Sequence, residues 1–252
     1  MKQLRYLAII ALLQACNGTQ PTNTADSTVV TADSSTQVQP AATAQSDLDT
    51  LHVNGKVWYI SPATESEFKG ADSIAVDTSE IRMFAKVGHD ISYRHGDTLF
   101  VKAENGKIAT FVNNKSDNDD YAHYQLQGIL KEANQVYVLG SFYEWSDGYL
   151  VDLKTGKKQE IYYNPNVSPN KQFIITSSYD LVAAFVDNGF MFLERKGNGE
   201  YTKVDHKILK DWGTDEFRWL DDATLVAERK RVNEANGYEE TIDYIKISIK
   251  DK

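Results

Sequence analysis

From residue 47 to residue 252 the sequence predicts an all-β fold, built as four or five antiparallel sheet units in series, with the array incomplete or open. Three observations predict it. The apolar runs are short, rich in aromatic and β-branched side chains, and cut by Gly, Asn and Asp, which is the length and composition of strands. Turn residues return in two interleaved series roughly 40–45 residues apart, the spacing of repeated four-stranded units. No stretch long enough for an ordinary helix carries an apolar stripe at a 3.6-residue period.

The expected strands run along the chain as Val57–Ile60, Leu99–Val101, Ile108–Val112, Val136–Leu139, Tyr149–Val151, Phe173–Thr176, Leu181–Val186, Phe190–Leu193 and Leu225–Ala227. Near the C-terminus Ile242, Tyr244, Ile245, Ile247 and Ile249 stand against Asp243, Lys246 and Ser248, the pattern of one half-buried strand. One turn series comprises Asn105-Gly106-Lys107, Thr155-Gly156-Lys157 and Asn198-Gly199-Glu200. These place glycine where a tight hairpin needs positive φ. The second comprises Asn54-Gly55-Lys56, Gly96-Asp97-Thr98, Ala133-Asn134-Gln135, Pro169-Asn170-Lys171 and Asp221-Asp222-Ala223.

Val167-Ser168-Pro169-Asn170-Lys171-Gln172-Phe173-Ile174 resembles the Ser-Pro-Asp-Gly-Lys turn and strand of TolB-type β-propeller repeats, with Asn-Lys in place of Asp-Gly. Tyr149-Leu150-Val151-Asp152-Leu153-Lys154-Thr155-Gly156-Lys157 is similar to the outer hairpin of the same repeats, and Trp219–Leu225 is a looser echo. The resemblance covers about residues 120–230 and implies a propeller-like arrangement of the units.

The N-terminus reads differently. Met1-Lys2-Gln3-Leu4-Arg5 is a short basic start, and Tyr6–Leu13 is an unbroken apolar run. Eight residues suit the core of an export signal and fall short of the roughly 20 that span a bilayer as a helix. Leu13-Gln14-Ala15-Cys16 then resembles the lipobox of bacterial lipoproteins. That resemblance implies diacylglycerol on the Cys16 sulfur and cleavage before it. It makes residues 1–15 a signal peptide and the membrane, through the N-terminal lipid, a partner. Cys16 is the single cysteine, so once lipidated it leaves no thiol for a disulfide, a metal or a nucleophile. Residues 16–46 are dominated by Thr, Ser, Ala, Gln, Asn and Pro without an aromatic side chain, and read as a disordered tether. Asn17, rather than Asp, after the cysteine favours the outer membrane, and no acidic run follows to mark export to the cell surface. The expected address is the periplasmic side of the outer membrane.

Charge narrows the partners further. The chain carries −9, and loss of Lys2 and Arg5 with the leader takes it to −11. Such a surface repels polyanions and argues against nucleic acid.

Catalytic patterns are absent: no Gly-x-Ser-x-Gly, His-Glu-x-x-His, phosphate loop or Cys nucleophile occurs. His89-Asp90 with His95-Gly96-Asp97 has no recognised ligand spacing, and Asp117–Asp120 lacks the glycine and distal glutamate of an EF-hand loop. No metal or cofactor is expected. The segment Phe142–Tyr149 gathers four aromatic and two acidic side chains around an inter-strand loop. Tyr143, Trp145, Asp147 and Tyr149 are the candidate ligand-binding residues, because aromatic faces beside carboxylates stack on sugars and peptides. The alternative for the same rings is a sealed contact between neighbouring sheets.

The expected function is a non-catalytic binding or scaffold domain with a protein or glycan ligand. A glycan hydrolase drawing its acids from separate units, and a structural subunit of an envelope assembly, are the alternatives.

Overall fold

Residues that alternate between two interfaces organise the structure, a computed structural model in which residues 49–73, 79–233 and 237–250 are described. The chain divides into two units, Met1–Ala44 and Gln45–Lys252, and every described residue belongs to the second. Cys16, the leader and the tether expected over residues 1–46 lie outside the described residues.

The domain is all-β and consists of four antiparallel sheets, none of them closed. Sheet I holds β3 (Ser92–His95), β4 (Thr98–Lys102) and β5 (Ile108–Val112). Sheet II is a meander of β6 (Ala122–Leu130), β7 (Gln135–Phe142), β8 (Ser146–Asp152) and β9 (Lys158–Ile161). Sheet III repeats it with β10 (Tyr163–Val167), β11 (Phe173–Ser178), β12 (Gly189–Arg195) and β13 (Tyr201–Ile208). Sheet IV joins the two ends of the domain. Its β14 (Phe217–Asp221), β15 (Thr224–Asn233) and β16 (Glu239–Lys250) are extended by β2 (Lys56–Pro62) and β1 (Asp49–Val53). The join is the β2–β16 ladder, in which Ile60 faces Ile247 and Trp58 faces Ile249.

The sheets stack in the order I, II, III, IV. Val136, Val138 and Val151 of sheet II pack with Leu99, Val101 and Phe111 of sheet I. Their strand neighbours Tyr137 and Leu150 turn the other way, onto Ile174, Leu193 and Tyr201 of sheet III. Ile175, Phe190 and Phe192 in turn face Trp58, Phe217, Leu225, Ile245 and Ile247 of sheet IV. This explains the unbroken apolar runs: strands buried on both faces cannot alternate with polar residues. Trp58 is fully buried, stacked on Phe190 at 5.7 Å and edge-on to Phe192 at 4.9 Å. Among the described residues no buried cluster joins sheet I to sheet IV.

The turns fall where glycine and asparagine stand. Asn54 and Gly55 both have positive φ and connect β1 to β2. Gly106, Gly156 and Gly199, all at positive φ, sit in the last hairpins of sheets I, II and III. At the Ser-Pro-Asn turn before β11, Ser168 Oγ donates to Asn170 Oδ1 at 2.7 Å and accepts the Phe173 N–H at 2.9 Å.

Among the described residues two short α-helices interrupt the strands. α1 (Glu65–Gly70) opens on a capping box between Thr64 and Glu67 and lays Phe68 and Ala71 against Val226 and Tyr244 of sheet IV. α2 (Glu80–Val87) is capped by Ser79 and buries Met83 and Val87 in the core between sheets I and II. At six and eight residues both are too short to leave a periodic signature in the sequence. Among the described residues no helix is long and apolar enough to cross a membrane.

One expected strand is overturned. Leu181–Val186 is a loop between β11 and β12, because the Asp180 carboxylate accepts the N–H groups of Ala183, Ala184, Phe185 and Val186 at 2.7–3.0 Å. Ala184 is forced to φ +54°, and the apolar run wraps around the carboxylate instead of extending.

Candidate functional site

The β7–β8 hairpin, closed by the Phe142 N–H on the Trp145 carbonyl at 2.8 Å, presents the candidate residues at one end of sheet II. Strand alternation in β8 sends Ser146, Gly148 and Leu150 toward sheet III and Asp147, Tyr149 and Val151 toward sheet I. Tyr143 and Trp145 lie in the turn and are 54% and 38% exposed.

A continuous row of rings results. Trp145 stacks on Phe142 at 5.2 Å, and Phe142 meets Tyr124 edge-on at 5.8 Å. Tyr124 contacts Tyr149 at 5.8 Å, and both close on buried Phe111 at 5.3 and 5.5 Å. Gly140 makes the row possible, since a methyl group there would lie 3.0 Å from both Tyr124 and Tyr149. The row therefore splits the expected site. Trp145 forms its open end and Tyr143 is exposed in the same turn, whereas Tyr149 is half-buried in the core between sheets I and II and backs the platform from behind.

Asp147 lies on the same face of β8 as Tyr149, across from Glu160, which pairs with Tyr149 in the β8–β9 ladder. Burial pushes the Asp147 carboxyl up to about 6, and the Glu160 charge adds to the rise. A hydrogen bond with the Trp145 side chain works against both. Burial also raises Tyr149, helped by the charges of Glu160 and Asp147. At the far edge of this face Lys158 donates to the Thr110 carbonyl at 3.1 Å and stands 4.8 Å from the Phe111 ring centre. The arrangement offers an exposed indole face, a carboxylate that ionises within the physiological range, and a second acid beside it.

Sequence reasoning missed Phe111, Tyr124 and Glu160, whose places depend on strand register across 11 or more residues. It also missed a polar group on sheet III, where the Tyr162 hydroxyl lies 2.6 Å from His206 Nε2 and Asp187 Oδ2 lies 3.7 Å from the same nitrogen. The other flagged groups go to separate places. Asp97 pairs with Lys115 at 2.6 Å, and in the acidic loop Asn118 accepts the Asp120 N–H at 3.0 Å. Among the described residues no group of three or more His, Cys, Asp or Glu side chains gathers as a metal site.

Comparisons with protein families, curated proteins and solved structures return no significant match. The class of the domain therefore rests on its own geometry: an all-β stack of four sheets with an aromatic and acidic platform on one hairpin.

Proposed function

We propose that this chain is a bacterial envelope lipoprotein, anchored through Cys16 to the periplasmic side of the outer membrane, whose domain binds glycan chains without turning them over. The four sheets form an open, propeller-like array, supported by the repeated meanders of sheets II and III and by the completion of sheet IV from both ends of the domain. The observation that carries the binding reading is the Trp145 indole, exposed and held flat by Phe142 beside Asp147. A sugar ring lays its C–H face on such an indole while an ionised carboxylate accepts its hydroxyls.

The test is Trp145→Ala in the full chain, read on a glycan array. Retained melting temperature with lost glycan binding supports the platform, and a collapsed melting temperature or unchanged binding overturns it. Anchoring is tested separately: labelled palmitate enters the wild type and not Cys16→Ser, and label absent from both defeats the lipoprotein reading.

One observation favours a second reading, a glycan hydrolase. Asp147 and Glu160 are acids on one face, and Asp147 is raised to about 6, the pattern of an acid and base pair. Turnover of a glycan that Asp147→Asn abolishes, with binding intact, would select it.

A further inference from the structure

A cavity lies where α2 meets β6, the edge strand of sheet II, and the local backbone leaves it unfilled. Leu126 pairs with Val138 and Gly128 with Tyr137, so β6 carries a one-residue bulge. Gly128 takes φ +151° there, a conformation that residues with side chains rarely adopt. A Cβ on it would meet only Met83 Sδ, at 3.8 Å. The cavity measures about 380 Å³, within the range of small-molecule sites.

Its lining divides by chemistry. Met83, Val87 and Tyr137 are buried and Leu130 is half-buried, and these side chains make the walls. Lys86, in the last turn of α2, and Lys131, directly after β6, line it too and are exposed, which puts them at the mouth. Among the described residues, none of the nine that line the cavity is acidic. An apolar chain that enters leaves water and gains the contact of the walls. Its head stays at the mouth beside two ammonium groups, which attract a carboxylate and repel a cation. The lysine stems extend the apolar rim while their charges remain in water. The acidic balance of the whole chain acts weakly on such a head, because salt screens charges more than about 8 Å away. A small anion without a chain has nothing to offer the walls.

We propose that this cavity binds a single-chain fatty acid, with the acyl chain between α2 and β6 and the carboxylate held by Lys86 and Lys131. The site is distinct from the Trp145 platform and stands independently of the glycan-binding reading.

The experiment uses the full chain carrying Cys16→Ser, prepared without detergent, which would compete for the cavity. Calorimetry compares octanoate, decanoate, decanol, decylammonium and acetate. The chain has three methionines, so isotopic labelling of their methyl groups gives an NMR signal for Met83 in the wall. Met191, in the core between sheets II and III, serves as the control. The expected result is saturable binding of decanoate that shifts the Met83 methyl signal and leaves that of Met191 in place. Octanoate should bind about 10-fold more weakly, since it buries two methylenes fewer. Acetate should not bind, and decylammonium should bind more weakly than decanoate. Reversing the charge at the mouth should exchange these preferences. Lys86→Glu/Lys131→Glu should weaken decanoate by about 10-fold, strengthen decylammonium and leave decanol unchanged. Lys131→Glu alone, at an exposed position, gives the same directions if the double variant fails to fold.

Decanoate that does not saturate, or that saturates without moving the Met83 signal, overturns the proposal. So does acetate binding as tightly as decanoate. Equal affinity for decanoate and decanol, unchanged in both lysine variants, overturns it as well, because the mouth would then exert no preference for an anionic head.

Discussion

Glu80 grips Arg94 through two hydrogen bonds, from Nε to Oε2 at 2.9 Å and from Nη2 to Oε1 at 2.7 Å, and so ties the first turn of α2 to β3. Both partners reach further. Glu80 Oε1 accepts the Leu126 N–H of β6 at 3.0 Å, and Arg94 Nη2 donates to the Tyr124 carbonyl at 2.5 Å. One ion pair thus joins a helix, sheet I and sheet II. Its side chains are 18% and 21% exposed, so removing either partner strands the other in a poorly hydrated place. Arg94→Ala should destabilise by about 3 kcal/mol, a fall of about 6–12 °C in melting temperature for a domain of this size. The double variant Glu80→Leu/Arg94→Leu should lose less than the sum of the two single changes. A double-mutant cycle by thermal melts measures the coupling, and additivity would show that the pair does not act as a unit.

Asp147 should make stability depend on pH in a direction opposite to that of a salt-bridged carboxylate. Its carboxyl rises from the ordinary 3.8 to about 6, chiefly through burial and then through Glu160. The folded domain therefore holds this proton more tightly than the unfolded chain does. The resulting stabilisation is complete below about pH 4 and is lost as pH rises through about 6. The full shift would correspond to about 3 kcal/mol, but the carboxyl is half exposed and solvent screening reduces the effect to about 1 kcal/mol. Asp147→Asn should match the wild type in acid and melt higher at about pH 7.5. Glycan binding should move the other way, strengthening as the carboxylate forms between about pH 5 and 7, with Asp147→Asn flattening that profile. Carboxyl NMR titration gives the pKa directly, and an ordinary value near 4 removes both expectations.

The Asp180 loop separates local from global stability. Four backbone N–H groups converge on one carboxylate, while Val182 and Phe185 each remain 56% exposed. Asp180→Ala leaves those donors to water and removes the reason for the positive φ at Ala184. Amide exchange at Ala183–Val186 should accelerate at least about 10-fold, the equivalent of about 1.4 kcal/mol, and limited proteolysis should cut there first. The melting temperature should change little, because no core cluster includes the loop. Unchanged exchange at all four amides would show that the loop is held by something other than Asp180.

These features mark how far the sequence could be read. Asn54-Gly55 and Asn198-Gly199 determine their hairpins with local chemistry, because positive φ is demanded within two or three residues. The same local rules fail at Leu181–Val186, where one upstream carboxylate outbids strand propensity for four N–H groups. Tyr149, a candidate for the recognition surface, shares a face of β8 with Val151, and the burial of Val151 draws Tyr149 inward as well. Strand alternation contained that information. By contrast, the Asp147 and Glu160 neighbourhood requires the β8–β9 register, and the β2–β16 ladder joins residues some 185 apart. No short window of sequence holds either relation.

Two glycines make the packing of sheet II testable against a matched control. Gly148 pairs with Leu139 on one side and Ile161 on the other, deep in the interface with sheet III. A Cβ on it would stand 2.5 Å from the Tyr162 carbonyl oxygen, 2.9 Å from Ile161 Cγ1 and 3.1 Å from the Tyr137 ring. The carbonyl belongs to the backbone and cannot swing aside, so the methyl must part β8 from the strand beside it. Gly197, in the β12–β13 turn, has nothing within 4 Å of its Cβ position. Neither glycine sits at positive φ, so backbone strain does not distinguish them. Gly148→Ala should therefore destabilise by about 1–3 kcal/mol through overpacking. Gly197→Ala should stabilise by about 0.4–1 kcal/mol, because the unfolded chain loses conformational freedom and the folded one loses nothing. Urea unfolding of both variants reads the difference. Equal midpoints would mean that sheets II and III do not approach as closely at Gly148 as the Tyr162 carbonyl requires.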